Sequence, residues 1–145
     1  MSRIVIASTK REREDAFAVR IRVFVHEQGI PPSEELDAYD DAAIHCIAYA
    51  DGAPVGAGRL VMMEGYGKIG RMAVLKEHRG KGIGARVLDA LEREGVRRGI
   101  SRFRLSAQLS ARGFYERGGY TAIGEVYDDV GIPHIDMEKA GPADR

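Results

Sequence analysis

The spacing of apolar positions shifts along the chain, and each shift marks an element. Residues 3–7 predict a short opening strand. Thr9-Lys10-Arg11-Glu12 has the Thr-x-x-Glu form of a capping box, in which hydroxyl and carboxylate satisfy the free N–H groups of a helix start. Behind it Phe17, Ile21, Phe24 and Val25 recur at helical spacing. That helix is expected to stop near Gly29, because Pro31 and Pro32 cannot continue it. Residues 33–41 read as an acidic loop with room for one helical turn. Residues 44–50, 55–63 and 69–75 read as strands. Asp51-Gly52 is a hairpin signal and Gly65 with Gly67 marks the next connection, so the three form an antiparallel meander.

The period then lengthens. Ile83, Val87 and Leu91 stand four apart, with Leu88 and Val96 beside them, which predicts a helix facing a core. Arg97 and Arg98 suit its negative end, and Gly99 suits the C′ position. A strand over residues 103–105, a short helix over 109–117 and a hairpin of 120–127 with 132–138 complete the chain. The tail from about residue 140, Gly141 onward, is expected to fray. The order is β-α-β-β-β-α-β-α-β-β. It predicts one α+β domain over residues 1–145, with a mixed, mostly antiparallel sheet flanked by helices.

Composition narrows the function classes. At 145 residues the chain fits one ordinary domain. Basic and acidic residues balance at 22 each, which argues against a nucleic-acid partner. Met1-Ser2-Arg3-Ile4-Val5-Ile6 lacks the apolar core of a secretory signal, and no apolar run has the length to span a bilayer. A cytoplasmic protein without a membrane partner is expected. Cys46 is alone, so neither an intrachain disulfide nor a cysteine-based metal site is possible, which fits a reducing compartment. Between Ile44 and Ile47 it reads as a small buried apolar residue. His45 beside it points to the opposite face of the strand, so the two form no dyad.

One segment carries chemistry. A strand ends near Leu75, a turn Arg79-Gly80-Lys81-Gly82-Ile83-Gly84 follows, and an amphipathic helix begins. The start of a helix offers unpartnered N–H groups and a favourable dipole to an anion, and glycines clear the approach. Lys81 is followed by Gly82 where a P-loop needs Ser or Thr, and Ala85 stands where the dinucleotide fingerprint needs its last glycine. From the residues alone, another phosphate ligand and a plain strand-to-helix turn both remain open.

Val74-Leu75-Lys76-Glu77-His78 followed by that turn resembles the signature of the GNAT acetyltransferase superfamily, Arg/Gln-x-x-Gly-x-Gly/Ala, satisfied by Arg79, Gly82 and Gly84. Gln108-Leu109-Ser110-Ala111-Arg112-Gly113-Phe114-Tyr115 resembles that family's Asn-x-x-Ala-x-x-Phe-Tyr block, with Gln108 for the usual Asn. The element order is also the family's. The stretch from Arg20 to Pro31, with Glu35-Leu36-Asp37 and Asp40, and the closing Gly131-Ile132-Pro133-His134-Ile135-Asp136-Met137 are similar to the small bacterial ElaA-like subgroup.

The resemblance implies a GNAT fold and acetyl-CoA as acyl donor, with no metal. Arg79, Gly80, Lys81, Gly82, Ile83 and Gly84 would hold the pyrophosphate, and Gln108 would stand on the donor side. Met72, Ala73 and Val74 would splay from the neighbouring strand and pair with pantetheine amides. An N–H near Val74 would polarise the thioester carbonyl. Tyr115 would protonate the leaving thiolate, a tyrosine of pKa about 10 serving a thiol of about 8.5. Transfer would be direct, without a covalent intermediate.

Many relatives carry a glutamate base where Lys68 stands here, which leaves Glu27 and His134 as candidate bases, acting directly or through water. Asp37, Asp40 and Asp41 would lie in a loop on the acceptor side, as an attractor of cations or as an ordinary acidic surface. The acceptor would be an amine of a small molecule or peptide, and a homodimer is the assembly expected by analogy. The competing expectation is an acyl-CoA-binding or sensor module with reduced catalysis.

Overall fold

The computed structural model describes residues 2–140. The expected fraying from Gly141 lies outside the described residues. The first strand, β1 (Ser2–Ile6), leads through Thr9 into α1 (Lys10–Arg20). The capping box forms in full: the Glu12 N–H donates to Thr9 Oγ1 at 3.1 Å, and the Thr9 N–H donates to Glu12 Oε1 at 3.2 Å. From Ile21 to Glu27 the helix continues, but as a π-helix rather than the uninterrupted α-helix its periodicity predicts. The wider turn carries one more residue per revolution. Val23 and Phe24, adjacent in sequence, are both buried along it. Gly29 then closes the helix with a left-handed φ of 76°, where the glycine was expected to stop it.

Two short turns follow, α2 (Pro32–Glu35) and a 3-10 turn at Ala38–Asp41. The remaining elements are β2 (Ile44–Ala50), β3 (Ala53–Met63), β4 (Tyr66–Val74), α3 (Ile83–Arg97), β5 (Arg102–Gln108), α4 (Arg112–Arg117), β6 (Thr121–Asp129) and β7 (Ile132–Ala140). They reproduce the expected order. The seven strands form one sheet in the order β1-β2-β3-β4-β5-β7-β6. Every neighbouring pair is antiparallel except β4 with β5.

β4 begins at Tyr66, earlier than the apolar pattern indicates, because Gly67 belongs to the strand and not to the turn. A Cβ on Gly67 would stand 2.8 Å from Leu60, so this glycine admits a close contact inside the sheet, and Gly65 alone makes the turn with φ 86°. Helix α3 packs on β3 in the same manner. Gly58 leaves room for Val87 and Leu91, whose side chains would lie 2.9 Å from a Cβ there. The predicted stripe of Ile83, Val87, Leu88 and Leu91 is buried against the sheet.

The acidic loop is not a free surface. Arg20, almost fully buried, donates to Glu35 Oε2 at 3.0 Å and Asp40 Oδ1 at 2.7 Å. Arg59 forks onto Asp37 at 2.7 and 2.8 Å and also reaches Asp40 at 2.8 Å. Arg71 completes the group, 3.1 Å from Glu35 and 3.2 Å from Asp37. Three guanidinium groups thus consume the charge of Glu35, Asp37 and Asp40 and fasten both turns to β3 and β4. Of the three aspartates expected on the acceptor side, only Asp41 has no part in this network. Burial alone would raise the Asp40 carboxyl, but hydrogen bonds from Arg20, the Asp37 N–H and Arg59 hold it well below the usual carboxylate range.

Arg20→Met takes one of two guanidinium partners from each of two interior carboxylates, and a loss of about 3–5 kcal/mol in unfolding free energy is expected from urea titration. A loss under about 1 kcal/mol, the value of an exposed pair, would show the network to be dispensable. Because the Asp40 pKa is lowered on folding, its contribution is complete above about pH 4 and declines as pH falls below that. Asp40→Asn should therefore be less stable at neutral pH, with a shallower loss of stability between about pH 4 and 2 than the parent chain.

Candidate active site

β4 and β5 run together for Gly67–Ile69 opposite Phe103–Leu105, and then part. From Gly70 onward β4 keeps β3 on one side and has no ladder on the other. The break coincides with a register shift against β3, where Arg71 adopts a left-handed φ of 50°. Arg71 is held in that conformation by the acidic turns, its Nε donating to the Glu35 carbonyl at 2.9 Å. The fork between the strands opens a cavity of about 540 Å3.

That cavity gathers most of the side chains singled out by motif. Met72, Ala73 and Val74 form the open edge of β4, and Arg79, Gln108, Tyr115 and His134 complete the lining. Tyr115, on α4, is 8% exposed, and its hydroxyl has no hydrogen-bond partner among the described residues. Burial pushes its pKa well above the usual phenol value, so the hydroxyl stays protonated. His134, on β7, places Nδ1 2.7 Å from the Ile132 carbonyl. A carbonyl can only accept, so Nδ1 carries the proton, and in the neutral ring Nε2 keeps its lone pair. No described residue occupies Nε2. The His134 ring stacks on Tyr127, whose hydroxyl donates to Asp136 at 2.6 Å and contacts the Ser106 hydroxyl.

The glycine turn lies beyond this cavity, at the start of α3. Gly80 and Gly82 have φ of 77° and 80°, the left-handed region, and Gly82 caps the helix without any side-chain partner. The N–H groups that follow, from Ile83 to Ala85, are those an anion would use. Ile83 itself is buried, so only its backbone can take part. Gly84 packs on Phe114, whose ring would stand 3.3 Å from a Cβ there. Lys81 is exposed beside the turn.

Glu27 does not join His134 and Tyr115. Its carboxylate is gripped by Arg79 at 2.6 and 2.7 Å, and that pairing lowers its pKa. A carboxylate so held is a poor proton acceptor, and Glu27 acts here as a clamp on the guanidinium. Arg79 also donates to the Val74 carbonyl at 2.9 Å. Gln108 exchanges amide hydrogen bonds with Gln28, at 2.8 and 3.4 Å, across the far side of the cavity. Lys68 points away from this cavity into a neighbouring one. Tyr127 and Ser106 carry no motif, and only the registers of β5, β6 and β7 bring them to His134. Among the described residues no group of side chains is arranged to hold a metal ion, and no helix is long and apolar enough to cross a membrane.

The family profile described as an acetyltransferase (GNAT) domain matches residues 10–140, nearly the whole chain. The chain belongs to the GNAT acetyltransferase family. It is 44% identical over 136 residues to the Bacillus subtilis protein named uncharacterized N-acetyltransferase YjcF, covering 93% of this chain and 97% of that one. A crystal structure of an acyl-CoA N-acyltransferase from Pseudomonas aeruginosa superposes with a TM-score of 0.83 at 30% identity, over 97% of this chain and 99% of that one. Escherichia coli ElaA shares the fold, with a TM-score of 0.83, 23% identity and coverage of 96% and 99%. The GNAT fold read from the signature blocks is thereby established.

Cys46 is fully buried, and burial pushes its thiol up to about 12. The folded protein should leave a disulfide-exchange reagent unreduced at pH 8 and react with one equivalent only after denaturation. Prompt reaction of the native protein would contradict the buried placement.

Proposed function

We propose that the chain is an N-acetyltransferase that moves an acetyl group directly from acetyl-CoA to an amine of a small molecule or peptide. The observation that carries this reading is the opening between β4 and β5, which exposes an unpaired backbone edge to one cavity shared by Tyr115 and His134. An extended pantetheine arm is a chain of amides, and an open strand edge is the partner such a chain requires. The glycine turn continues the same line, so its backbone N–H groups meet the pyrophosphate. Glu27 keeps Arg79 at the mouth of the site.

His134 Nε2 takes the proton from the attacking ammonium, either directly or through one water. The free amine adds to the thioester carbonyl, and an N–H of the open β4 edge steadies the oxyanion. Collapse of the tetrahedral species breaks the carbon–sulfur bond, and the thiolate takes the Tyr115 proton. The surplus proton on the former amine nitrogen passes through water to the tyrosinate and restores it. The apolar surroundings that raise the tyrosine pKa also raise that of the departing thiol, so the two remain matched. Lys68 cannot replace the usual strand glutamate as base, and His134 supplies that function from the opposite side of the fork.

Acetyl-CoA with a panel of primary amines is expected to release free thiol in an amine-dependent manner. Tyr115→Phe should lower kcat by about 100-fold or more, with the affinity for CoA kept within about twofold. Equal turnover by the two proteins would remove Tyr115 from the mechanism. Gly82→Asp places a side chain in a left-handed position, at about 1–2 kcal/mol of strain, and a negative charge at the helix start. Calorimetry should then detect no CoA binding, and unchanged affinity would move the pyrophosphate elsewhere.

A further inference from the structure

A second cavity of about 430 Å3 adjoins the first, sharing Ile69, Gly70, Arg71, Ser106, Asp129 and His134 with it. Its charge is divided. At the end nearest His134 stands Asp129, which has no ion-pair partner among the described residues. At the other end Lys68 lies directly across from Arg104 on the parallel strand, so two cations share one face of the sheet. Arg104 leans over Tyr66, 4.9 Å from its ring centre, and reaches Glu138 at 3.3 Å. Lys68 has no carboxylate within reach among the described residues. Like charges placed opposite each other weaken a strand pair, and an anion between them removes that cost.

The floor of this end is built to receive one. Gly70 follows Lys68 on the same face, and a Cβ there would meet nothing nearer than Arg59 Nε at 4.0 Å. Arg59 is buried with both terminal nitrogens engaged, yet its Nε has no acceptor. A buried N–H left open is unusual in a native fold, and Arg59 lines the same cavity as the two cations.

Resting on the transferase reading above, we propose that Lys68 and Arg104, over Gly70 and Arg59, form an anion subsite for the acceptor, and that the acceptor is a short peptide with a free C-terminal carboxylate. The spacing sets its length. Lys68 and His134 are separated by two strand spacings and about four residues of rise, which comes to about 16 Å. An extended peptide spans about 3.3–3.6 Å per residue, so three residues with a polar contact at each end fill the distance, and a free α-amino acid does not. The acidic end of the cavity draws the ammonium group toward His134 while the basic end draws the carboxylate.

The test compares triglycine, triglycinamide and diglycine as acceptors with acetyl-CoA, by thiol release. Triglycine should exceed triglycinamide in kcat/KM by about tenfold or more, and should also exceed diglycine. Lys68→Met and Lys68→Glu, at an exposed position and checked for fold by circular dichroism, should bring the triglycine-to-triglycinamide ratio to near one. Equal rates for the acid and the amide in the parent chain, or a preference that survives in both variants, would overturn the subsite and leave the transferase reading intact. Absence of amine-dependent release with every acceptor would overturn both.

Discussion

The site depends on one break in backbone pairing. β4 is hydrogen-bonded to β5 for a short stretch and then leaves it, and the cavity lined by Tyr115 and His134 lies along the edge so exposed. Unpaired strand edges are costly unless something holds them apart. Here the holding is electrostatic. The left-handed Arg71 marks where β4 departs, and its guanidinium is tied to Glu35 and Asp37, which are fixed in turn by Arg20 and Arg59. A buried network of this kind contributes little net stability over apolar packing, but it specifies one geometry, because each partner left alone would be an uncompensated buried charge.

That network also explains why the acidic loop is not the free anionic surface its composition suggests. In the linear sequence Glu35, Asp37 and Asp40 form an anionic cluster with no visible counterion, because Arg20, Arg59 and Arg71 come from separate elements. Folding neutralises the cluster. Among the described residues the charges without an ion pair near the cavities are others, Lys68 and Asp129 among them. The functional field of the site is what is left after the structural ion pairs are subtracted.

Legibility followed the range of the interactions. The capping box, the α3 stripe and the meander are local or periodic, and the structure reproduces them almost residue by residue. The glycine turn and the Phe114-Tyr115 block are contiguous motifs and were readable as such. The π-helix was not, since widening a helix depends on what Val23 and Phe24 pack against rather than on their spacing. Gly67 looked like a turn glycine because close packing against Leu60 leaves no mark in sequence. The pairing of Glu27 with Arg79 is not visible in sequence, because the two are distant in the chain. The Tyr127–Asp136–Ser106 surround of His134 exists only through strand register.

The central claim is that the opened edge of β4 and the glycine turn form one continuous seat for CoA. Titrating the 15N-labelled protein with CoA and following its backbone amide resonances tests this most directly. The account predicts saturable shifts concentrated at the amides from Gly80 to Ala85 and from Met72 to Val74, with the β1 and β6 amides unmoved. Saturable binding that leaves those two segments unshifted, or that shifts them no more than the rest of the sheet, would contradict it.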